Sequence, residues 1–109
     1  MDKKLEVLPG TLDMLILKTL TLGANHGYGI AQHIRQTSRE ALQLEEGSLY
    51  PALQRLQLNG WVESEWGTSA NNRRARFYRL TAAGRKQLGI EASNFEKMIA
   101  AISRVMQTA

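Results

Sequence analysis

With 109 residues, 43% of them hydrophobic and 22% charged, the chain has the size and composition of one soluble globular domain, a separate core needing on the order of 100 residues. It has no cysteine, which excludes disulfides, thiolate catalysis and zinc sites of the Cys type. Its net charge of +4 is unevenly spread: residues 1–65 hold six Lys or Arg against eight Asp or Glu, residues 66–90 hold Arg73, Arg74, Arg76, Arg79, Arg85 and Lys86 with no acid, and residues 91–109 balance.

A basic segment in an otherwise neutral domain suits a phosphate backbone, and it also suits a solvated basic face; charge alone leaves both readings open. Met1–Leu8 lacks the apolar run of a secretory signal, and no segment approaches the roughly 20 continuous apolar residues of a membrane span. A cytoplasmic protein without membrane contact is expected.

In chain order, Thr11 is the expected N-cap of a first helix that ends at Gly23. Leu12, Leu15, Ile16, Thr19 and Leu20 recur at helical spacing, and Met14, Leu17 and Leu22 add apolar side chains on other faces. A helix apolar almost all round needs cover on more than one side, so Leu12 and Leu15 are candidates for contact with a second copy of the chain. After a short loop, Ala24–Gly27, a second helix is expected from Tyr28 to Thr37, with Ile30, Ala31 and Ile34 inward. A third runs from Ser48, its expected N-cap, to Asn59, with Pro51 in its first turn and Gly60 after its end. Leu49, Leu53 and Leu56 make its buried stripe, leaving Ser48, Ala52 and Arg55 outward, flanked by Tyr50, Pro51 and Gln54.

After Gly60 the period changes from helical to alternating. Trp61–Trp66 and Arg76–Leu80 read as two strands, joined by a long polar hairpin tip from Gly67 to Arg74. Thr81 then caps a last helix reaching Met106, weakened in its first turns by Gly84 and Gly89. The expected fold is mainly α with a small two-stranded β-wing: a winged helix-turn-helix over residues 1–80, and a C-terminal helix over 81–109 that forms one compact unit with it.

An exposed helix face beside a basic hairpin is the pair of parts that grips double-stranded DNA. The helix fits the major groove, about 12 Å wide, where Ser48, Gln54 and Arg55 could bond base edges or phosphates and Tyr50 could reach a phosphate. The hairpin brings Arg73, Arg74 and Arg76 to the flanking backbone or the minor groove. Plainer roles compete: Tyr50 packing on the ribbon, Gln54 and Arg55 as solubilising residues, Arg79 simply facing solvent. Trp61 reads as ribbon core, whereas Trp66 divides between core and stacking platform. His26 and His33 have no metal-ligand spacing with Asp13 or Glu40, Gly23, Gly27 and Gly29 make no phosphate loop, and no nucleophile elbow is present. Neither an enzyme nor a cofactor is expected.

In the last helix Leu88, Ala92, Phe95, Ile99, Ile102 and Met106 are spaced 4, 3, 4, 3 and 4 residues apart. That is the seam of a coiled coil, which points to a homodimer; packing on the chain's own first helix is the competing reading. A two-fold dimer would present two recognition helices to half-sites about 34–36 Å apart, or a multiple of that.

The runs Leu8–Leu20 (LPGTLDMLILKTL), His26–Ile34 (HGYGIAQHI), Glu46–Val62 (EGSLYPALQRLQLNGWV) and Arg74–Leu88 (RARFYRLTAAGRKQL) together resemble the PadR family of regulators, in its short form with a single C-terminal helix. The resemblance implies a dimeric repressor whose third helix, with Ser48, Tyr50, Pro51 and Arg55, binds DNA with help from Arg73, Arg74 and Arg76. It also implies a small aromatic effector in some members, and Phe95 is the one aromatic residue of the last helix that could contact it. Against this stands a winged-helix module for protein–protein contact without sequence-specific DNA binding, which a neutral or acidic wing would favour.

Overall fold

A computed structural model describes residues 5–108. Among these the order is β1 (Leu5–Glu6), α1 (Pro9–Leu20), β2 (Asn25–His26), α2 (Gly27–Thr37), β3 (Leu42–Gln43), α3 (Glu46–Leu58), β4 (Val62–Thr68), β5 (Arg74–Leu80) and α4 (Ala82–Met106). Pro9 opens α1, since its missing N–H costs nothing in a first turn. The N-cap is therefore Leu8, and Thr11 lies inside the helix instead of capping it. Leu12, Ile16, Leu17 and Leu20 of α1, Ile30 and Ile34 of α2, and Leu49, Leu53 and Leu56 of α3 converge in one core, which Val62, Tyr78 and Leu80 close from the sheet side. Ala52, expected to face outward, is fully buried in that core, because it lies three residues beyond Leu49 on the same side of α3.

α3 begins two residues earlier than expected. Its N-cap, Glu45, contributes no side-chain bond, and Ser48 falls within the first turn. Pro51 thereby becomes the sixth helical residue and removes the bond that the Gly47 carbonyl would accept. The far end is firmly closed: Gly60 N–H donates to Gln57 O (3.0 Å), and Trp61 N–H to Leu56 O (3.0 Å). This Schellman pairing requires the left-handed backbone of Gly60 (φ +77°). The same corner holds the start of α4. Thr81 caps that helix by accepting from Gly84 N–H (3.0 Å), and its hydroxyl donates to Gly60 O (2.7 Å). A Cβ on Gly84 would run into the Trp61 carbonyl, so the glycine that weakens the helix is what lets it approach the wing.

The sheet has three antiparallel strands in the order β2-β5-β4, one more than the ribbon expected from sequence. Asn25 and His26 pair with Tyr78 and Phe77, which ties the wing to the start of α2. The β4–β5 ladder runs from Val62↔Leu80 to Thr68↔Arg74, so the tip shortens to residues 69–73. Within it Ser69 N–H donates to Arg73 O (2.8 Å), and Asn72 adopts a positive φ of 61°. A short parallel bridge, Leu5↔Leu42 and Glu6↔Gln43, joins the start of the described chain to the segment before α3.

Candidate nucleic-acid interface

Burial of Leu49, Ala52, Leu53 and Leu56 turns the rest of α3 outward, where Ser48, Tyr50, Pro51, Gln54 and Arg55 are all exposed. The two flanks of that face have different neighbours. Toward the wing, Tyr50, Gln54, Gln57 and Leu58 line one groove with Arg76 and Tyr78. Toward α1, the Arg55 guanidinium donates to Asp13 Oδ1 at 2.8 Å. Arg55 and Arg76 thus stand on opposite sides of the helix, and the groove excludes Arg55. Burial raises the pKa of the Asp13 carboxyl above its ordinary value, and the Glu91 charge adds to this; the bond and charge of Arg55 oppose it.

Tyr50 is aimed by its surroundings. A Cβ at Gly27 would lie 3.0 Å from its ring and hydroxyl, so the ring rests against the start of α2. Burial raises the pKa of the neighbouring Tyr78 hydroxyl; the Arg76 charge opposes this and Tyr50 adds to it. Tyr78 therefore stays protonated at neutral pH. His26 accepts from Gly29 N–H at Nδ1 (3.1 Å) to cap α2, and its ring meets Phe77 edge-on at 5.2 Å. It is a structural residue of the junction. The second trough, under the wing tip, joins His26 and Tyr28 to Ser69, Asn71, Arg73 and Arg74.

The two faces of the wing differ in charge. On one, Arg74 and Arg76 lie 4.6 and 5.6 Å from the Trp66 ring centre, and Arg76 Nε donates to Ser64 Oγ at 3.0 Å. On the other, Arg79 is bonded to Glu63 (2.6 Å), with Glu65 and Phe77 nearby. Among the described residues, the ion pairs involve Arg35, Arg55 and Arg79, so Arg73, Arg74 and Arg76 keep their charge uncompensated. Three cations beside an exposed helix end are chemically suited to phosphate oxygens, and the amide, hydroxyl and guanidinium groups of α3 to base edges. Gln57, Leu58 and Tyr28 enter this surface although nothing in the sequence marks them as contacts, and Trp66, which the sequence divides between core and stacking platform, is exposed there. Gln57 and Leu58 follow Gln54 at i+3 and i+4, a spacing that completes the exposed face.

A sequence profile described as "Transcriptional regulator PadR-like family" matches residues 16–90. The chain belongs to the PadR family. The solved structure of a transcriptional regulator from Clostridium thermocellum is similar, with a TM-score of 0.80 and 32% identity over 87% of this chain and 92% of that one. A PadR family transcription regulator from Clostridium difficile matches with a TM-score of 0.74 and 26% identity, over 87% and 97% of the two chains. A relative from Lysinibacillus sphaericus, named "Uncharacterized protein X", is 29% identical over 83 residues, 76% of each chain. The PadR member described here is thus a winged-helix transcriptional regulator by family and fold. Among its described residues no helix is long and apolar enough to cross a membrane, and no group of His, Cys, Asp or Glu could hold a metal ion.

The residues expected at a dimer seam divide. Leu12 is buried in the chain's own core and has no surface to offer, while Leu15 and Leu88 are half-buried against that core. α4 packs on α1, and a groove between them is lined by Thr11 and Met14 of α1 and by Glu91, Asn94, Phe95 and Met98 of α4. Phe95 and Met98 are exposed at this groove, and Ile99, Ile102, Val105 and Met106 are exposed with them.

Proposed function

We propose that the protein is a homodimeric repressor that binds a pseudo-palindromic operator in double-stranded DNA. The observation that carries this reading is the groove in which Tyr50 and Gln54 of α3 meet Arg76 of the wing, with Arg73 and Arg74 uncompensated beside it. In it, α3 enters the major groove and reads base edges with Ser48, Gln54 and Arg55, Arg55 exchanging Asp13 for DNA, while Tyr50 and Pro51 set the helix against the backbone. Arg73, Arg74 and Arg76 bind phosphates or the adjacent minor groove. Two copies join through Phe95, Ile99, Ile102 and Met106, with Leu15 and Leu88 at the margin. Repression is our reading of a regulator that resembles the PadR repressors in sequence, and we place the protein in the cytoplasm with its DNA.

Phe95 serves this dimer seam. A small aromatic effector stacking on it would be a second use of the same side chain, and loss of operator binding on adding such a compound would establish it. The test of DNA binding is a titration against the duplex upstream of the protein's own gene and against random duplex, at two salt concentrations. Arg73→Ala with Arg74→Ala weakens both alike and lowers the salt slope by about 2, roughly one per lost phosphate contact. Gln54→Ala narrows the difference between the two duplexes. Equal binding to both duplexes by the unaltered protein at physiological salt would sink the repressor reading.

A further inference from the structure

Trp66 is 56% exposed, although Trp61, five residues earlier, packs against the core. Burial therefore does not account for an indole at this position. Its neighbours are more telling. In the β4–β5 ladder Trp66 stands directly opposite Arg76, and Arg74 is the diagonal neighbour two residues nearer the tip. Alternation places all three side chains on one face of the wing. Both guanidiniums come within the ~6 Å over which a cation is attracted to an aromatic face, at 4.6 Å for Arg74 and 5.6 Å for Arg76. Ser64, the next residue of that face, accepts from Arg76 Nε and leaves the two terminal nitrogens free to donate.

Two arginines this close repel each other, and each long side chain loses rotamer freedom when it is fixed on a ligand. An indole in contact with both offsets the repulsion through its π cloud and restricts both chains before binding. The carboxylates of the wing do not compete, because Glu63 and Glu65 alternate to the other face with Arg79. We propose that Trp66 is a positioning residue for DNA binding: it holds Arg74 and Arg76 as a preformed pair of guanidiniums that receives the phosphodiester backbone. This rests on the reading of the wing as a DNA contact, and it adds a division of labour within it. Arg73, which no such ring orders, supplies charge alone.

The experiment uses the full chain and a labelled random-sequence duplex, since phosphates are shared by every sequence. Trp66→Leu keeps an apolar β-compatible side chain without a π face, and it weakens binding about tenfold, equivalent to ~1.4 kcal/mol. Trp66→Phe restores most of the loss. In a background of Arg74→Ala with Arg76→Ala, Trp66→Leu has no further effect, because the residues it acts through are gone. Wild-type affinity from Trp66→Leu would overturn the proposal. So would a full tenfold loss persisting in the double-arginine background, which would mean that the ring itself stacks on a base. Failure of the unaltered protein to bind any duplex would instead remove the DNA reading, and the arginine pair with it.

Discussion

On α1 and α3, Leu12, Ile16, Leu17, Leu20, Leu49, Leu53 and Leu56 are at most 2% exposed; on α4, Phe95, Met98, Ile99, Ile102, Val105 and Met106 are 41–76% exposed. Both regions carry apolar residues at helical spacing. The difference is one of partners. The first three helices cross each other and the sheet within the chain, whereas α4, with 25 residues and a length of about 37 Å, is about twice as long as the 12-residue α1 on which it packs. Periodicity identifies an apolar face, but the fold decides whether the same chain can cover it. The remaining stripe of α4 is a surface of the kind that marks contact with another molecule.

The sharpest way to break this contrast is to charge the exposed stripe. Ile99→Asp with Ile102→Asp should convert the proposed dimer to a monomer while leaving the winged-helix body folded. Light scattering would give the mass of a single chain, and binding to a two-half-site operator would weaken about a hundredfold or more, since avidity between two linked sites is typically worth at least that. A double variant that remained dimeric would move the seam elsewhere. The converse experiment lies in the body. Leu53→Ala should cost roughly 2–5 kcal/mol of unfolding free energy without altering the mass of the folded species. Urea melts read the first effect, and light scattering at low denaturant checks the second.

Much of this contrast was legible in the sequence. Gly60 and Thr81 mark the two ends of the wing because each has a local job, a left-handed corner and a side-chain cap, and both positions behave as read. Thr11 and Ser48 misled for the complementary reason. The true caps, Leu8 and Glu45, make no side-chain bond, so nothing polar announces them, and both helices begin earlier. A stripe drawn only through Leu49, Leu53 and Leu56 is too narrow and leaves Ala52 outward; the buried face also includes the i+3 position. β2 is two residues long, too short for alternation to appear, and its pairing with Tyr78 and Phe77 is set by tertiary proximity. Charge and exposed helix faces carry most of the sequence signal for the candidate interface. What sequence could not supply was the sidedness: Arg55 held by Asp13 on one flank of α3, Arg76 in the groove on the other.

The smallest expected effect lies where the two regions meet. Asp13 of α1 is mostly buried, with 19% of its side chain exposed, and it faces Arg55 of α3 and the charge of Glu91 on α4. Its pKa is raised above 3.8, chiefly by burial, so in the fold the ionised form is disfavoured relative to the unfolded chain. As pH falls through the raised value toward 3.8, the folded protein takes up a proton that the unfolded chain does not yet bind, and this group then adds to stability. Asp13→Asn removes that dependence. At neutral pH the variant should be as stable as the parent or slightly more so, within about 1 kcal/mol, because a half-exposed ion pair contributes little. The gap should close as the pH approaches the ordinary carboxylate range, where Asp13 is itself neutral in the fold. Urea midpoints across that range measure it. A loss well above ~1 kcal/mol at neutral pH would show that the pair with Arg55 outweighs burial, the reverse of the raised pKa. Glu91→Gln isolates the part due to α4: it relieves a like charge, so it should lower the pKa of Asp13 and move the window toward acid. Absence of that shift would separate the first half of α4 from the body electrostatically, even though the two are packed together.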